Sequence, residues 1–302
     1  MTNIVPFILD GLIVAGYFAI LALSLNMEYG YSGLINFGKA AFFALGAYAS
    51  AMLTTNGYPA FLGVVVAMIV AGLGGLLISI PAIRVKSDYL AIITLVFAET
   101  IRVILKNESW IAGGVLGIRG VPPLIDFRNV SYETHLIIQA FIVMTLFTIF
   151  ALVGWLLTNS PFGRILRAIR EDELASSVYG KNNIFAKAVV FGLGSSIAGA
   201  AGSFYAQYIG FVSPDLFILA ITLQIWIMSI LGGPATIMGS FVGALVVISI
   251  NRGTRLLKDF LNLPLDTNNL MFILTGALLI IVVIFKPTGI LKEGRVESVR
   301  RR

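Results

Sequence analysis

Long apolar runs with almost no charge constrain this chain more than any other feature of its sequence. The runs extend over roughly 17–25 residues, and a helix rising about 1.5 Å per residue needs about 20 residues to cross about 30 Å of hydrocarbon. With 58% hydrophobic and 12% charged residues, the chain has too little polar side-chain surface to cover a soluble globule. The runs therefore predict membrane-spanning helices.

The predicted fold is an all-α, polytopic bundle of about nine transmembrane helices, and eight to ten spans fit the pattern. A β-barrel would need segments of about ten residues that alternate apolar and polar, and the sequence contains none. The first run lacks a basic flank and a cleavage site, which predicts a retained span rather than a signal peptide. Residues 1–302 are therefore interpreted as a single transmembrane domain. The candidate spans are 4–25, 34–53, 60–80, 90–105, 136–157, 185–207, 217–231, 237–250 and 270–285.

Basic residues in the short connections predict the orientation of the chain. Thirteen of the 21 Lys and Arg residues lie in three polar stretches that the span order places on one side. Because positive charge is retained inside, that side is predicted to be the cytoplasm, with the N-terminus outside and residues 287–302 as a basic cytoplasmic tail. The stretch 251–266 departs from this rule, since it places Arg252, Arg255 and Lys258 outside. The net charge of +6 is explained by topology, and no nucleic-acid partner is expected.

Several chemistries are excluded by composition. The chain has no cysteine and one histidine, His135, which excludes disulfides, thiolate nucleophiles and a histidine zinc cluster. The string GLINFGKA at 33–40 resembles a phosphate-binding loop, but it enters an apolar span and ends in Ala40 instead of a hydroxyl residue. No set of nucleophile, base and oxyanion donors can be assembled, so we expect a non-enzyme that itself binds no cofactor.

The polar segment 159–184 is the most informative part outside the spans. Arg164, Arg167 and Arg170 recur every third residue, and acidic residues that include Glu171 and Glu173 follow them. This pattern predicts a short surface helix. Such a basic amphipathic helix can lie against lipid headgroups or dock into a partner protein, and the composition leaves both uses open.

Charged residues inside the predicted spans have two interpretations each. Glu99 and Arg102 share a helix face, which favours a buried structural ion pair over a role in gating the solute. Lys39 lies just inside the second span, where it either snorkels to the cytoplasmic interface or faces a water-filled path. Asn36 and Gln224 are further polar candidates for contact with a solute.

Small residues and glycines predict two kinds of close contact. The sixth span carries Gly194, Ala198, Gly202, Ala206 and Gly210 at every fourth position, a pattern that marks a helix-packing face in lipid. The third span and the eighth span carry shorter stripes of the same kind. Residues 106–134 form a predicted extracytoplasmic loop that is too glycine-rich for a helix and permits close approach of another backbone. This loop is either a plain connection or a segment that contacts a partner or lines the solute path.

Five stretches together resemble a known family over nearly the whole chain. They are NMEYGYSGLINFGKAAFFALGAY, DYLAIITLVFAETIR, GGVLGIRGVP, SPFGRILRAIREDELASSVYG, and FYAQYIGFVSPD with the later ILGGPATIMGSFVGA. The chain resembles the M-type subunit of the branched-chain amino acid permease family of bacterial and archaeal ABC importers. The resemblance implies a multi-pass protein of the plasma membrane, with the ABC importer permease type of fold.

The family resemblance also implies partners and residue roles. It implies a second homologous permease, two cytoplasmic ATPases that hold ATP and Mg²⁺, an extracytoplasmic solute-binding protein, and a lipid bilayer. The segment 159–184 would be the coupling helix that enters the ATPase, where Glu173 and the later Gly180 resemble the coupling loop of ABC importers. The residues implied in coupling are Arg164, Arg167, Arg170, Glu171, Glu173 and Gly180, and the solute-path candidates are Asn36, Lys39, Glu99 and Gln224.

The expected function is the import of branched-chain amino acids, and two rivals remain. A permease for urea or aromatic acids would share the fold. An ion-coupled secondary transporter would need no ATPase and would more often show several intramembrane carboxylates for proton or sodium relay.

Overall fold

Helices account for almost all of the chain that the structure, a computed structural model, describes: residues 4–82, 87–125, 131–261, 267–286 and 288–294. Two-residue strands β1 (Ile118–Arg119) and β2 (Phe211–Val212) pair in antiparallel orientation. In chain order the helices are α1 (Ile4–Ser32), α2 (Lys39–Thr55), α3 (Ala60–Ala82), α4 (Ser87–Asn107), α5 (Ser109–Ala112), α6 (Tyr132–Asn159), α7 (Pro161–Glu171), α8 (Glu173–Val178), α9 (Asn183–Ile209), α10 (Leu219–Gly232), α11 (Ile237–Leu261) and α12 (Thr267–Phe285).

Every predicted span coincides with a helix, and the all-α polytopic fold is confirmed. Among the described residues, six helical segments are long and apolar enough to cross a membrane, and the number nine stays a prediction. The three predicted spans outside this set are α2, α4 and α12. The six segments are Val5–Ser32, Ala60–Pro81, Tyr132–Asn159, Asn183–Ile209, Pro214–Gly232 and Ile237–Thr254.

The segment 159–184 forms two helices rather than the single predicted one. The hydroxyl of Ser160 accepts hydrogen bonds from the amides of Phe162 and Gly163 and so caps α7, and Pro161 occupies the first turn. At Asp172 the backbone is extended, and its carboxylate accepts a bond from Ala175 that caps α8. This second cap ends one helix and begins another, which accounts for the break. We call the end of the bundle that carries α7 and α8 the inner end.

Helices α2, α3 and α9 pack closely through small residues, as the stripes predict. A Cβ atom at Gly202 would lie 2.0 Å from the carbonyl oxygen of Phe43 in α2, and one at Gly199 would lie 2.6 Å from the oxygen of Ala67 in α3. Helices α10 and α11 meet in the same way, since a Cβ at Gly243 would lie 1.9 Å from the oxygen of Met228. Backbones this close leave no room for side chains at these glycines.

At the outer end, α11 continues to Leu261, well beyond the predicted boundary at residue 250. The guanidinium of Arg252 donates to a carboxylate oxygen of Asp10 at 2.6 Å and stacks over the ring of Phe7. This ion pair explains how a cation is accommodated on the side where the charge rule disfavours it. The side chains of Arg255 and Lys258, like residues 83–86 and 295–302 of the basic stretches, lie outside the described residues.

The outer loop 106–134 contains more regular structure than its glycine content predicts. It includes α5, a 3₁₀ turn at Gly114–Leu116, and β1, which pairs with β2 after α9. The predicted close approach of another backbone is confirmed at Gly117, where a Cβ atom would lie 2.0 Å from the carbonyl oxygen of Val212. Residues 126–130 of this loop are outside the described part.

Candidate functional site

A short non-helical segment, residues 33–38, separates α1 from α2. Gly33 adopts a φ of 73°, and its amide donates to the carbonyl of Tyr29 at 2.9 Å, which closes the end of α1. The predicted second span began at residue 34, but the helix begins only at Lys39. We call this segment the α1–α2 break.

A fully buried ion pair joins the two sides of the α1–α2 break. The ammonium of Lys39 lies 2.7 Å from one carboxylate oxygen of Glu28, and both side chains are 0% exposed. The amide of Asn36 donates to the other carboxylate oxygen at 2.8 Å. Each charge is therefore neutralised at close range, as buried charges must be in a low-dielectric interior.

Neighbouring helices satisfy the backbone groups of the break. The hydroxyl of Thr94 in α4 accepts from the amide of Phe37 at 3.0 Å, and the hydroxyl of Thr222 in α10 accepts from the amide of Ala40 at 3.1 Å. The indole of Trp226, also in α10, donates to the carbonyl of Asn36 at 3.1 Å. Irregular backbone at membrane depth is tolerated where protein groups bond to it, and here α4 and α10 supply them.

The packing stripe on α9 makes room for the buried carboxylate. A Cβ atom at Gly194 would lie 2.2 Å from a carboxylate oxygen of Glu28. The first glycine of the predicted stripe therefore faces the ion pair, and only a residue without a side chain fits there. Helix packing and the polar cluster depend on the same position.

A second break, between α10 and α11, is held by another polar residue of α1. The side-chain amide of Asn26 accepts from the amide of Ala235 and donates to the carbonyl of Thr236, both at 2.8 Å. Beyond α12, the amides of Ile290 and Leu291 donate to the last carbonyls of α10 at 2.9 and 3.0 Å. Residues 288–294 of the predicted tail thus pack against the end of α10.

Of the four solute-path candidates, the structure brings two together. Lys39 and Asn36 share the buried cluster with Glu28, so the interpretation that Lys39 snorkels to the interface was wrong. Gln224 lies apart, with its amide nitrogen 3.9 Å from the sulfur of Met271 in α12. Thr222 and Trp226 face the break from α10, whereas Gln224, two residues from each, contacts α12.

Glu99 lies on an exposed face of α4 rather than in the interior of the chain. It pairs with Arg102 as predicted, with nitrogen-to-oxygen distances of 3.0 and 3.1 Å, but its side chain is 49% exposed. Arg102 also approaches the carboxylate of Asp215 at 3.6 Å, and Lys106 lies 3.2 Å from the same carboxylate. The predicted burial was wrong, since the packing among the described residues leaves the Glu99 side chain half exposed.

The arginines of α7 differ in their placement. Arg167 and Arg170 are partly buried and bind the two carboxylate oxygens of Glu293 at 3.3 and 2.9 Å. Arg170 also donates to the carbonyl of Gly30 at the end of α1. Their side chains therefore turn toward the tail segment and the end of α1, and their role in coupling stays a prediction.

The remaining predicted coupling residues are exposed at the inner end. Glu173 pairs with the ammonium of Lys187 in α9 at 2.5 Å. The exposed members of the predicted coupling set are Arg164, Glu171, Glu173 and Gly180.

Sequence reasoning missed two residues that organise the interior, Glu28 and Asn26. Both lie beyond residue 25, where the apolar run and the predicted first span end. A carboxylate and an amide near three glycines and a lysine, in NMEYGYSGLINFGK, were the available signal. Their arrangement offers electrostatic contact and a fixed break between helices, and no exposed nucleophile or acid.

Comparisons with known proteins are consistent with this architecture. A family model described as the permease component of the branched-chain amino acid transport system matches residues 7–283. The high-affinity branched-chain amino acid transport system permease protein LivM of Salmonella typhimurium is 31% identical over 306 residues, which cover 92% of this chain and 68% of the relative.

The match to two further relatives extends over almost their full length. The probable branched-chain amino acid transport permease protein LivM of Methanocaldococcus jannaschii is 28% identical, over 92% of this chain and 91% of the relative. The permease protein LivH of Escherichia coli is 25% identical, over 96% of each. No solved structure matches the chain. The chain is a multi-pass, non-enzymatic membrane protein and belongs to the family of permease components of branched-chain amino acid transport systems.

Proposed function

We propose that this chain is a membrane-spanning permease subunit of an ATP-binding-cassette importer for branched-chain amino acids in a bacterial or archaeal plasma membrane. Separate ATPase subunits hold ATP and Mg²⁺, and a solute-binding protein delivers the amino acid on the outside. The relatives named LivM and LivH support a pair of homologous permeases, of which this chain is one. The relatives' names also support the choice of substrate.

The observation that carries the proposal is the apolar surface of α8 and the residue that follows it. Leu174, Val178 and Tyr179 are 80%, 84% and 83% exposed at the inner end, beside charged residues. Three large apolar side chains projecting together beyond the predicted membrane surface favour burial against a partner protein. We assign this surface to the ATPase and refer to it as the α8 knob.

Ion pairs and hydrogen bonds join α7, α8 and the tail segment to the other helices, and they support transmission of force from the α8 knob to those helices. Glu173, the first residue of α8, is ion-paired to Lys187 of α9. In α7, Arg170 reaches both the end of α1 and Glu293 of the tail segment. The same tail segment donates backbone bonds to the end of α10. A displacement of α8 is therefore linked to α1 and α10, the helices that flank the two breaks.

The solute path is assigned to the exposed face of α4. Glu99 and Arg102 lie on an exposed face of α4, a predicted span, and charged groups within a span need polar neighbours rather than acyl chains. A path between this chain and the second permease supplies that neighbour, and both charges suit the ammonium and carboxylate ends of an amino acid. Lys39 and Asn36 are sequestered in the present conformation and would meet solute only after the α1–α2 break opens.

The α8 knob is tested by substituting its apolar side chains in the full transporter. We expect Leu174→Glu with Val178→Glu to abolish copurification of the ATPase, because two carboxylates would be buried against it. Leu116→Glu at the outer end is the matched control, since it makes the same change at an exposed leucine. If the double variant inserts into the membrane and still copurifies with the ATPase in normal ratio, α8 is not part of the coupling surface.

A further inference from the structure

A cavity of about 590 Å³ lies at the inner end, between α6, α7, α11 and the tail residues 291–294. Its lining includes Trp155, in the last two turns of α6, and Met238, in the first turn of α11. These side chains are 54% and 61% exposed. Tryptophan favours the boundary between acyl chains and headgroups, so the cavity opens toward the bilayer at headgroup depth.

The lining of the cavity also contains basic side chains. Arg164 and Lys292 line it, both are exposed, and neither forms an ion pair with any residue that the structure describes. Arg167 also lines the cavity and lies 3.3 Å from the carboxylate of Glu293, which it shares with Arg170. The cavity therefore carries two cations whose charge no residue of the described chain compensates.

We propose that this cavity binds the headgroup phosphate of an anionic phospholipid from the cytoplasmic leaflet. Basic pockets between membrane helices on the cytoplasmic side suit acidic headgroups, and a guanidinium binds phosphate through two parallel hydrogen bonds. Arg164 and Lys292 bind the phosphate, while Trp155 and Met238 contact the glycerol and the first methylenes of the acyl chains. The volume lies within the range of about 300–1,000 Å³ found for small-ligand sites.

A lipid fits this cavity better than a second protein does. The lining combines apolar side chains from two membrane-spanning helices with cations from α7 and the tail, which suit the acyl chains and the phosphate of a phospholipid respectively. The α8 knob, assigned above to the ATPase, contributes no residue to the lining. A bound lipid would also contact Arg167, whose ion pair with Glu293 fixes α7 to the tail segment.

The test measures lipid binding to the intact transporter in detergent. Native mass spectrometry follows titration with phosphatidylglycerol, with phosphatidylcholine of the same acyl chains, and with inorganic phosphate as competitor. The variant is Arg164→Gln with Lys292→Gln, two exposed positions without an ion pair to any described residue, and we expect it to fold as the unsubstituted protein does. Lys181→Gln is the matched control, because Lys181 is an exposed cation of the same side outside the cavity.

We expect saturable binding of phosphatidylglycerol that the double variant weakens about 25-fold, since each cation near an anionic headgroup contributes about fivefold. Phosphatidylcholine should bind more weakly, and Lys181→Gln should behave as the unsubstituted protein. Equal binding of both lipids, or an unchanged double variant, would overturn the proposal. Displacement by millimolar phosphate alone would assign the cavity to a free anion. Loss of the ATPase with unchanged lipid binding would assign it to a protein interface.

Discussion

At the scale of single residues, the Glu28–Lys39 ion pair is the contact on which the stability of the fold should depend most. We expect Glu28→Gln or Lys39→Met alone to destabilise the chain by roughly 3–5 kcal/mol, because each leaves one buried charge without its partner. The double variant should be more stable than either single variant. The measurement is the thermal unfolding midpoint of the purified chain in detergent.

The pair Glu99–Arg102 is the internal control for that experiment. Glu99 is half exposed in the single chain, so Glu99→Gln should change the stability of the isolated protein by only about 0–1 kcal/mol. Strictly additive losses at Glu28 and Lys39 would mean that the two charges do not stabilise each other. A large loss at Glu99 would mean that α4 is covered even without the second permease.

The residue-scale comparison shows what periodicity can and cannot predict. Glu99 and Arg102 share one helix, and their spacing of three residues predicts the contact that the structure contains. Glu28 and Lys39 lie eleven residues apart across a reversal of the chain, and no helical period brings them together. The candidates Asn36 and Lys39 were identified by polarity alone, and their carboxylate partner was missed because it follows the end of the apolar run.

At the scale of helices, close packing of α9 against α2 is the contact that a single substitution tests best. We expect Gly202→Ala to reduce the yield of folded protein, because its added methyl group would overlap the carbonyl of Phe43 at 2.0 Å. That overlap is with backbone, which cannot move without displacing α2. The measurement is the fraction of monodisperse protein in size-exclusion chromatography after extraction.

Gly276→Ala in α12 is the matched control for this substitution. A Cβ atom there meets nothing within 4 Å among the neighbours of the chain, so we expect unchanged or slightly improved yield. Normal yield of Gly202→Ala would show that α2 and α9 are further apart than described and would weaken the packing assignment of the stripe.

The element-scale predictions failed where capping or tertiary contacts decide a boundary. Apolar length located each spanning helix, and the spacing of small residues located the α2, α3 and α9 core. The start of α2 was placed five residues too early because apolar Leu34 and Ile35 lie in the break. Helices α7 and α8 are separated at Asp172, whose side chain caps α8. Because Asp172 lies among other charged residues, the hydropathy of the segment does not reveal this boundary.

At the scale of the whole molecule, the two ends of the bundle differ. The inner end carries the exposed α8 knob, and the outer end carries ion pairs and the β1–β2 strand pair. In the predicted topology the basic stretches lie at the inner end, and Arg252 at the opposite end pairs with Asp10. We propose that the α8 knob, the two breaks and the charged face of α4 are the features through which this permease component uses partners for energy and for a complete solute path.

The central claim is tested most directly by leucine uptake into proteoliposomes that contain this chain, the second permease and the ATPases, with the solute-binding protein supplied on the uptake side. The account predicts uptake only when ATP is present on the ATPase side, no effect of dissipating ion gradients, and competition by isoleucine and valine but not by urea or aromatic acids. Uptake without ATP that collapses when an ionophore removes a proton or sodium gradient would contradict the account.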